Sequence, residues 1–328
     1  MKKTLSIGGV TYDLFVRTGR DLVHRDGTQE FVLPLGEKIR VQEVIEAPGG
    51  GACNTSVGLS RLGCSAAFAG VLGSDQWGER LLGRLQKEGV STDSVTIVQG
   101  ETSGFSLILS VSTGERVILY SAGTNAHLQD PTFDKSAAAK TDWIYLNHIN
   151  ESTTQILDDV VEILEQKERP GLTWNPGGSQ IKRGCSDPLL AKLLKHTDLL
   201  LLNKDEAIMF TQEKDPHDAL RTLIKCGATI VCITDGKNGS VASDGKKIYT
   251  CPILKTEVRD MTGAGDAFGS AATWALLEGF PLPMALRAGT INSSGVVGQI
   301  GAQAGLLADT EMHNKLKNTH LTVEETTL

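Results

Sequence analysis

The chain has 328 residues, of which 40% are hydrophobic and 22% charged, with a formal net charge of −7. That length supplies core for one large α/β domain or two smaller ones. The acidic balance, with no Lys/Arg run and no aromatic–basic stripe, excludes a nucleic-acid partner. No apolar run reaches bilayer length, so no membrane partner is expected either.

In chain order, "MKKTLSIGGVTYD" reads as a first strand and not a signal peptide, because its apolar segment breaks at glycines and at Asp13. "FVLPLGEKIRVQEVIEAP" (31–48) is strand-like with proline and glycine punctuation. "GGGACNTSVGLSRLG" (49–63) runs from three glycines into a helical pattern, and "QWGERLLGRLQKEGV" is a second helical stretch. "SGFSLILSV-STGE-RVILYSAG" is two β runs joined by a turn sequence, a hairpin. Beyond it, strand-length "WIYLNHI", "GLTWNP", "DLLLLN" and "TIVCITDG" alternate with helical "TTQILDDVVEILEQK" and "DPHDALRTLIKCG". This alternation predicts an α/β fold with a mainly parallel sheet covered on both faces, and the all-apolar "LLLL" suits a central strand.

The 31–48 stretch and the hairpin have no helices to cover them. They predict a small β-sheet lid over 13–44 and 101–121, projecting from a core of 1–12, 45–100 and 122–320. The polar segment 321–328 is expected to fray. Exposed lid edges suit a homodimer. The six cysteines form no CxxC pair and no zinc spacing, which fits reduced thiols in a cytoplasmic protein.

"DMTGAGDAF" (260–268) places two glycines around one alanine, followed at once by Asp266, and "AFGSAATWALLEG" then reads as a helix. Glycines at a helix entrance leave backbone amides pointing outward, which attracts anions. Two accounts of Asp266 compete: it satisfies the helix end, or it takes a proton from something held beside a bound anion. The chain lacks GxxxxGK[ST] and a well-placed GxGxxG, so any phosphate cradle is of another kind.

"DMTGAGDAF" resembles the C-terminal signature of the ribokinase-like (phosphofructokinase B) carbohydrate kinases. "GGGACNTSVGLSRLG" resembles the start of their N-terminal signature, which continues through "GVLGSDQWGERLLGRLQKEGV". "NKDE" (203–206) matches the family's NxxE, and "TDGKNG" (234–239) its TxGxxG. Four motifs in the right order cover nearly the whole chain. The resemblance implies a three-layer α/β/α sandwich with a β lid, and an ATP-dependent kinase that phosphorylates a hydroxymethyl group of a small sugar-like substrate.

Amides of Gly263, Ala264 and Gly265 form an anion hole for the phosphoryl group, and Asp266 accepts the acceptor's proton. Asn203 and Glu206 fall at the C-terminal end of the "DLLLLN" strand, where open α/β sheets place ligands. The resemblance gives them work on nucleotide phosphates and, through water, on Mg²⁺; beginning the next helix is the plainer reading. It also assigns Thr234, Gly236, Gly239 and Asn292 to the nucleotide, and Asp13, Gly50, Gly51 and Asn54 to sugar hydroxyls. Asp260, Thr262 and carbonyls around 298–301 are assigned to a monovalent cation, with K⁺ the candidate; a plain turn is the other reading of Asp260. His148 follows a strand and borders the acceptor site or the rim. Lys38 and Arg40 either grip a substrate phosphate or are solvated edge charges, the second being favoured. A phosphosugar kinase, a nucleoside kinase with Phe15, Phe31 or Phe105 lining its pocket, and a silent nucleotide or sugar sensor are the alternatives.

Overall fold

The computed structural model describes residues 1–19, 23–25, 28–111, 116–128, 133–149 and 155–328. The strand Leu199–Asn203 shows how the sequence is divided between layers. Leu200 and Leu202 join one core cluster, while Leu199 and Leu201 join the cluster on the opposite face, as the two-residue period of a strand requires. In the strand Ile230–Thr234, Val231 and Ile233 likewise fall on one side and Cys232 on the other. Burying both faces demands helices on both, and the chain supplies them.

Ten described strands form the central sheet. Ile230–Thr234, Leu199–Asn203, Gly171–Trp174, Trp143–Leu146, Lys3–Ile7, Ser65–Gly73 and Ser91–Val98 lie side by side in that order, all parallel. Ser240–Ser243, Lys247–Cys251 and Glu324–Thr327 extend the other edge in antiparallel fashion. One face carries the helices Gln155–Leu164, Pro188–Lys195, Lys204–Thr211 and Pro216–Lys225. The other carries Gly51–Arg61, Ala264–Leu277, Leu282–Val297 and Asp309–Asn318. Two of these helices start at an Asp-Pro pair: Asp187 and Asp215 accept from first-turn amides while the proline fills a position that needs no donor. The arrangement is the expected three-layer α/β fold. No described helix is long and apolar enough to cross a membrane.

A second, four-stranded sheet runs Glu43–Gly49, Thr11–Arg17, Phe105–Ser110, Arg116–Ser121. The last two pair antiparallel as the hairpin predicts; its turn, 112–115, lies outside the described residues. Thr11–Arg17 and Phe105–Ser110 pair in parallel, which the sequence did not signal. Two buried side chains fix where this sheet leaves the core. Asn125 brackets Val10, accepting from its amide at 3.0 Å and donating to its carbonyl at 2.8 Å. Tyr12 donates to Glu46 at 2.6 Å, accepts from Arg80 at 2.9 Å and packs on Trp77 at 4.6 Å between ring centroids.

Three sequence expectations change. Within 31–48 only Glu43–Gly49 is strand, because Pro34 withholds a donor and Gly36 turns the chain at φ 78°. Asp13 is not at the end of the first strand, which stops at Ile7, but is the third residue of the lid strand Thr11–Arg17. The segment expected to fray holds a strand, Glu324–Thr327, because the edge of Lys247–Cys251 offers it a ladder from Lys247↔Thr327 to Thr250↔Glu324.

Candidate active site

The helix Ala264–Leu277 opens at Gly263, whose φ of 77° lies in the left-handed region that glycine favours. A β-carbon on Gly263 would overlap Ala302, whereas one on Gly265 would meet nothing within 4 Å. No N-cap side chain covers this helix end, so the first-turn amides open onto free space beside Gly265. Asp266 stands in that first turn, with its Oδ2 accepting from Asn54 Nδ2 at 2.9 Å. The carboxylate is thus turned toward the helix Gly51–Arg61 and not back onto its own helix end. Burial pushes its carboxyl up to about 6, while the Asn54 hydrogen bond pulls the other way.

The glycine triple brings the remaining pieces together. Gly50 begins the helix Gly51–Arg61 at φ 89°, and a β-carbon there would run into the backbone of Gly9 and Val10. One on Gly49 would overlap the Asp13 carboxylate, and one on Gly51 would lie 2.8 Å from Asn147 Oδ1. From the same segment Asn54, itself buried, reaches Asp266 and accepts from Gln303 Nε2 at 3.1 Å. Asp13, Asn54 and Asp266 therefore converge on one place. Asp13 is 6% exposed, and burial raises its carboxyl against the hydrogen bonds of Ser106 and Thr11; the charge of Asp260 raises it further. Among the described residues, Asp13 Oδ1, Asn147 Oδ1 and Gln303 Oε1 are buried with no donor. All three are acceptors, so a ligand that satisfies them must bring hydroxyl or amine hydrogens.

Asn203 and Thr234 are the final residues of adjacent parallel strands and face each other in register. Asn203 accepts from the Glu206 amide at 2.9 Å and Glu206 from the Asn203 amide at 2.8 Å, a reciprocal cap for the helix Lys204–Thr211. The helix-starting role is thus real, and it engages one Glu206 oxygen only. Burial raises the Glu206 carboxyl. Gly236 and Gly239 adopt φ 48° and 88°; a side chain on Gly239 would strike the Cys251 carbonyl, while Gly236 borders open space.

Asn292 does not face a nucleotide. It is fully buried, donating to the Ala267 carbonyl at 2.8 Å and accepting from the Leu307 amide at 3.0 Å, so it ties the helices Ala264–Leu277 and Leu282–Val297 to the 307 loop. His148 meets Gln180 at 3.3 Å and lies close enough to Glu206 to bear on its charge. Lys38 and Arg40 are exposed. The cleft between the small sheet and the core has a volume of about 430 Å³ and is lined by Phe15, Ile45, Ile108, Arg116, Asp260 and Ile300 among others. Phe105 instead packs on Trp77.

Asp260 and Thr262 do meet, but not around an open cation site. Asp260 Oδ1 accepts from Thr262 N at 3.0 Å, Thr262 Oγ1 at 2.8 Å and Arg116 Nη1 at 3.0 Å, and Oδ2 accepts from Gly301 N at 3.1 Å. The donor set and the guanidinium charge do not fit a further monovalent ion there. Sequence reasoning missed Asn147, Gln303 and Arg116. Asn147 was within reach, since it follows the strand Trp143–Leu146 at the ligand-bearing end of the sheet. The "GAQAG" loop of Gln303 and the hairpin strand of Arg116 give no such signal.

A mostly parallel central sheet between helices, with a small second sheet beside it, is the ribokinase fold. The chain belongs to the pfkB family of carbohydrate kinases, whose model matches residues 10–309, and it transfers phosphate to an alcohol group. It is 33% identical over 251 residues to an uncharacterized sugar kinase of Archaeoglobus fulgidus, covering 76% of this chain and 98% of that one. It is 28% identical over 284 residues to a ribokinase of Bacillus subtilis, covering 86% and 92% respectively. Its fold matches the structure of Arabidopsis thaliana ribokinase complexed with ribose and ATP at a TM-score of 0.80, with 23% identity over 97% of this chain and 99% of that one.

Proposed function

We propose that this kinase moves the terminal phosphate of ATP to a hydroxymethyl group of a small, hydroxyl-rich sugar. The observation that carries this reading is Asp266, held by Asn54 beside an open, uncapped helix mouth. The acceptor hydroxyl lies between Asp266 and the γ-phosphorus. As its oxygen attacks, the proton passes to Asp266, the bond from phosphorus to the leaving ADP oxygen breaks, and the amides of Gly263, Ala264 and Gly265 hold the migrating oxygens. Asp13, Asn147 and the glycine segment 49–51 hold the other hydroxyls, supported by the three buried acceptor atoms that lack donors.

The nucleotide lies along Asn203, Thr234, Gly236 and Gly239. Among the described residues no three His, Cys, Asp or Glu side chains cluster as a metal cage. Mg²⁺ would accompany the nucleotide phosphates and neutralise their charge, and Glu206 would hold it through water. The small sheet of Thr11–Arg17, Glu43–Gly49, Phe105–Ser110 and Arg116–Ser121 acts as a lid on the core, and its closure keeps water from competing as acceptor. Its outer strand is the face for a second copy of this chain.

The test is ADP release across ribose, fructose, ketodeoxygluconate, nucleosides and fructose phosphates, with Asp266→Asn alongside. Turnover on the preferred acceptor should fall by ~10²–10⁴-fold while ATP affinity stays nearly constant. An equal loss of ATP binding would make Asp266 a structural residue, and binding without any transfer would make the protein a sensor.

A further inference from the structure

Asp260 lies between the lid and the phosphate-holding helix mouth. Thr262, which bonds one of its oxygens, precedes Gly263 directly; Gly301, which bonds the other, precedes Ala302, the residue packed against Gly263. A carboxylate in that position shapes both walls of the mouth. It is buried, and its charge requires a partner. The partner is Arg116, 144 residues away in sequence on the outer strand of the lid.

We propose that the Arg116 guanidinium is a built-in cation at Asp260, so that this kinase needs no monovalent metal ion there, and that it couples the lid to the helix mouth. The inference rests on the kinase reading of that mouth. A hard monovalent ion seeks bare oxygen atoms. Both Asp260 oxygens instead face N–H and O–H donors, whose positive ends point where the ion would sit, and a full positive charge already stands at 3.0 Å. Because Arg116 comes from the lid, opening the lid withdraws this charge and loosens the loops around Gly263. Closing it restores them, so the mouth takes its final shape only when water is shut out. The charge of Asp260 also opposes ionisation of Asp13, so Arg116 shields the sugar-binding carboxylate as well. Arg116 is a positioning residue and touches no reacting atom.

The experiment compares the full-length protein with Arg116→Ala and Arg116→Lys in KCl, NaCl and choline chloride at one ionic strength, about 0.2 M. Wild type should unfold at the same temperature in all three salts to within ~1 °C, since Asp260 takes no K⁺, and its turnover should not depend on the cation. Arg116→Ala should lose turnover at least ~10-fold in choline, recover part of it with K⁺ or low-millimolar guanidinium ion, and gain a K⁺-dependent rise of a few degrees in midpoint. Arg116→Lys should fall between. Wild type that is stabilised or activated by K⁺ overturns the proposal. So does Arg116→Ala with full turnover, or with a loss that neither ion repairs. The unfolding arm needs no acceptor, so it decides the matter even where no phosphate transfer is found; the kinase reading fails separately, on Asp266→Asn at full speed or on ligand binding with no transfer.

Discussion

As the proposed base, Asp266 must be ionised to take a proton, and burial delays its ionisation to about pH 6. Turnover should therefore fall as pH drops through about 6 and stay level above it. Asn54→Ala removes a side-chain hydrogen bond that favours the charged form, so its acid limb should move to higher pH; a pH profile of kcat for both proteins checks this. The same shift has a sign for stability. A carboxyl raised in the folded state contributes stability below its ordinary range that is lost as pH rises through about 6. Asp266→Asn should accordingly raise Tm at pH 8 by a few degrees, a gain that vanishes below about pH 4, and calorimetry at the two values measures it. Asp266 and its glycines were legible because residue type, order and the helical run after them all point one way. Gln303 was not: it acts through Asn54, and a relay between side chains 249 residues apart leaves no local pattern.

Within the elements, the Asn203–Glu206 pair shows how one motif can serve two purposes. Its reciprocal cap starts the helix Lys204–Thr211, so Asn203→Ala should cost about 1 kcal/mol of stability by denaturant titration. Glu206→Gln keeps an oxygen able to accept from the Asn203 amide and should leave stability nearly unchanged. If the proposed Mg²⁺ role holds, the same substitution weakens the Mg²⁺ dependence of turnover, and an unaltered Mg²⁺ titration would return Glu206 to capping alone. Strand–helix alternation and the hairpin were readable from period and turn chemistry. The stretch 31–42 misled, because β-branched Val32, Ile39 and Val41, on either side of Pro34 and Gly36, look like strand residues until a partner is found wanting. Asn292 misled for another reason: an amide inside a late helix has the same sequence signature whether it reads a base or, as here, closes a gap between backbones.

At the scale of the molecule, layer order follows from composition, since strands apolar on both faces must be covered on both. The partners of the small sheet do not follow from composition. Its outer strand leaves Val117, Ile118, Leu119 and Tyr120 between 41% and 60% exposed, with an open backbone edge. A second copy packed there, as proposed, would give a two-fold dimer, and Ile118→Lys with Tyr120→Glu should then halve the mass found by sedimentation; a monomeric wild type would refute it. At one edge of the central sheet the last strand Glu324–Thr327 screens Lys247–Cys251, and Leu328 donates its amide to the Lys246 carbonyl at 3.3 Å. Trimming those few residues would bare a row of backbone donors and acceptors next to Tyr249 and Cys251. A shortened protein would then recruit foreign strands and precipitate, although every group that handles ATP or sugar remained intact.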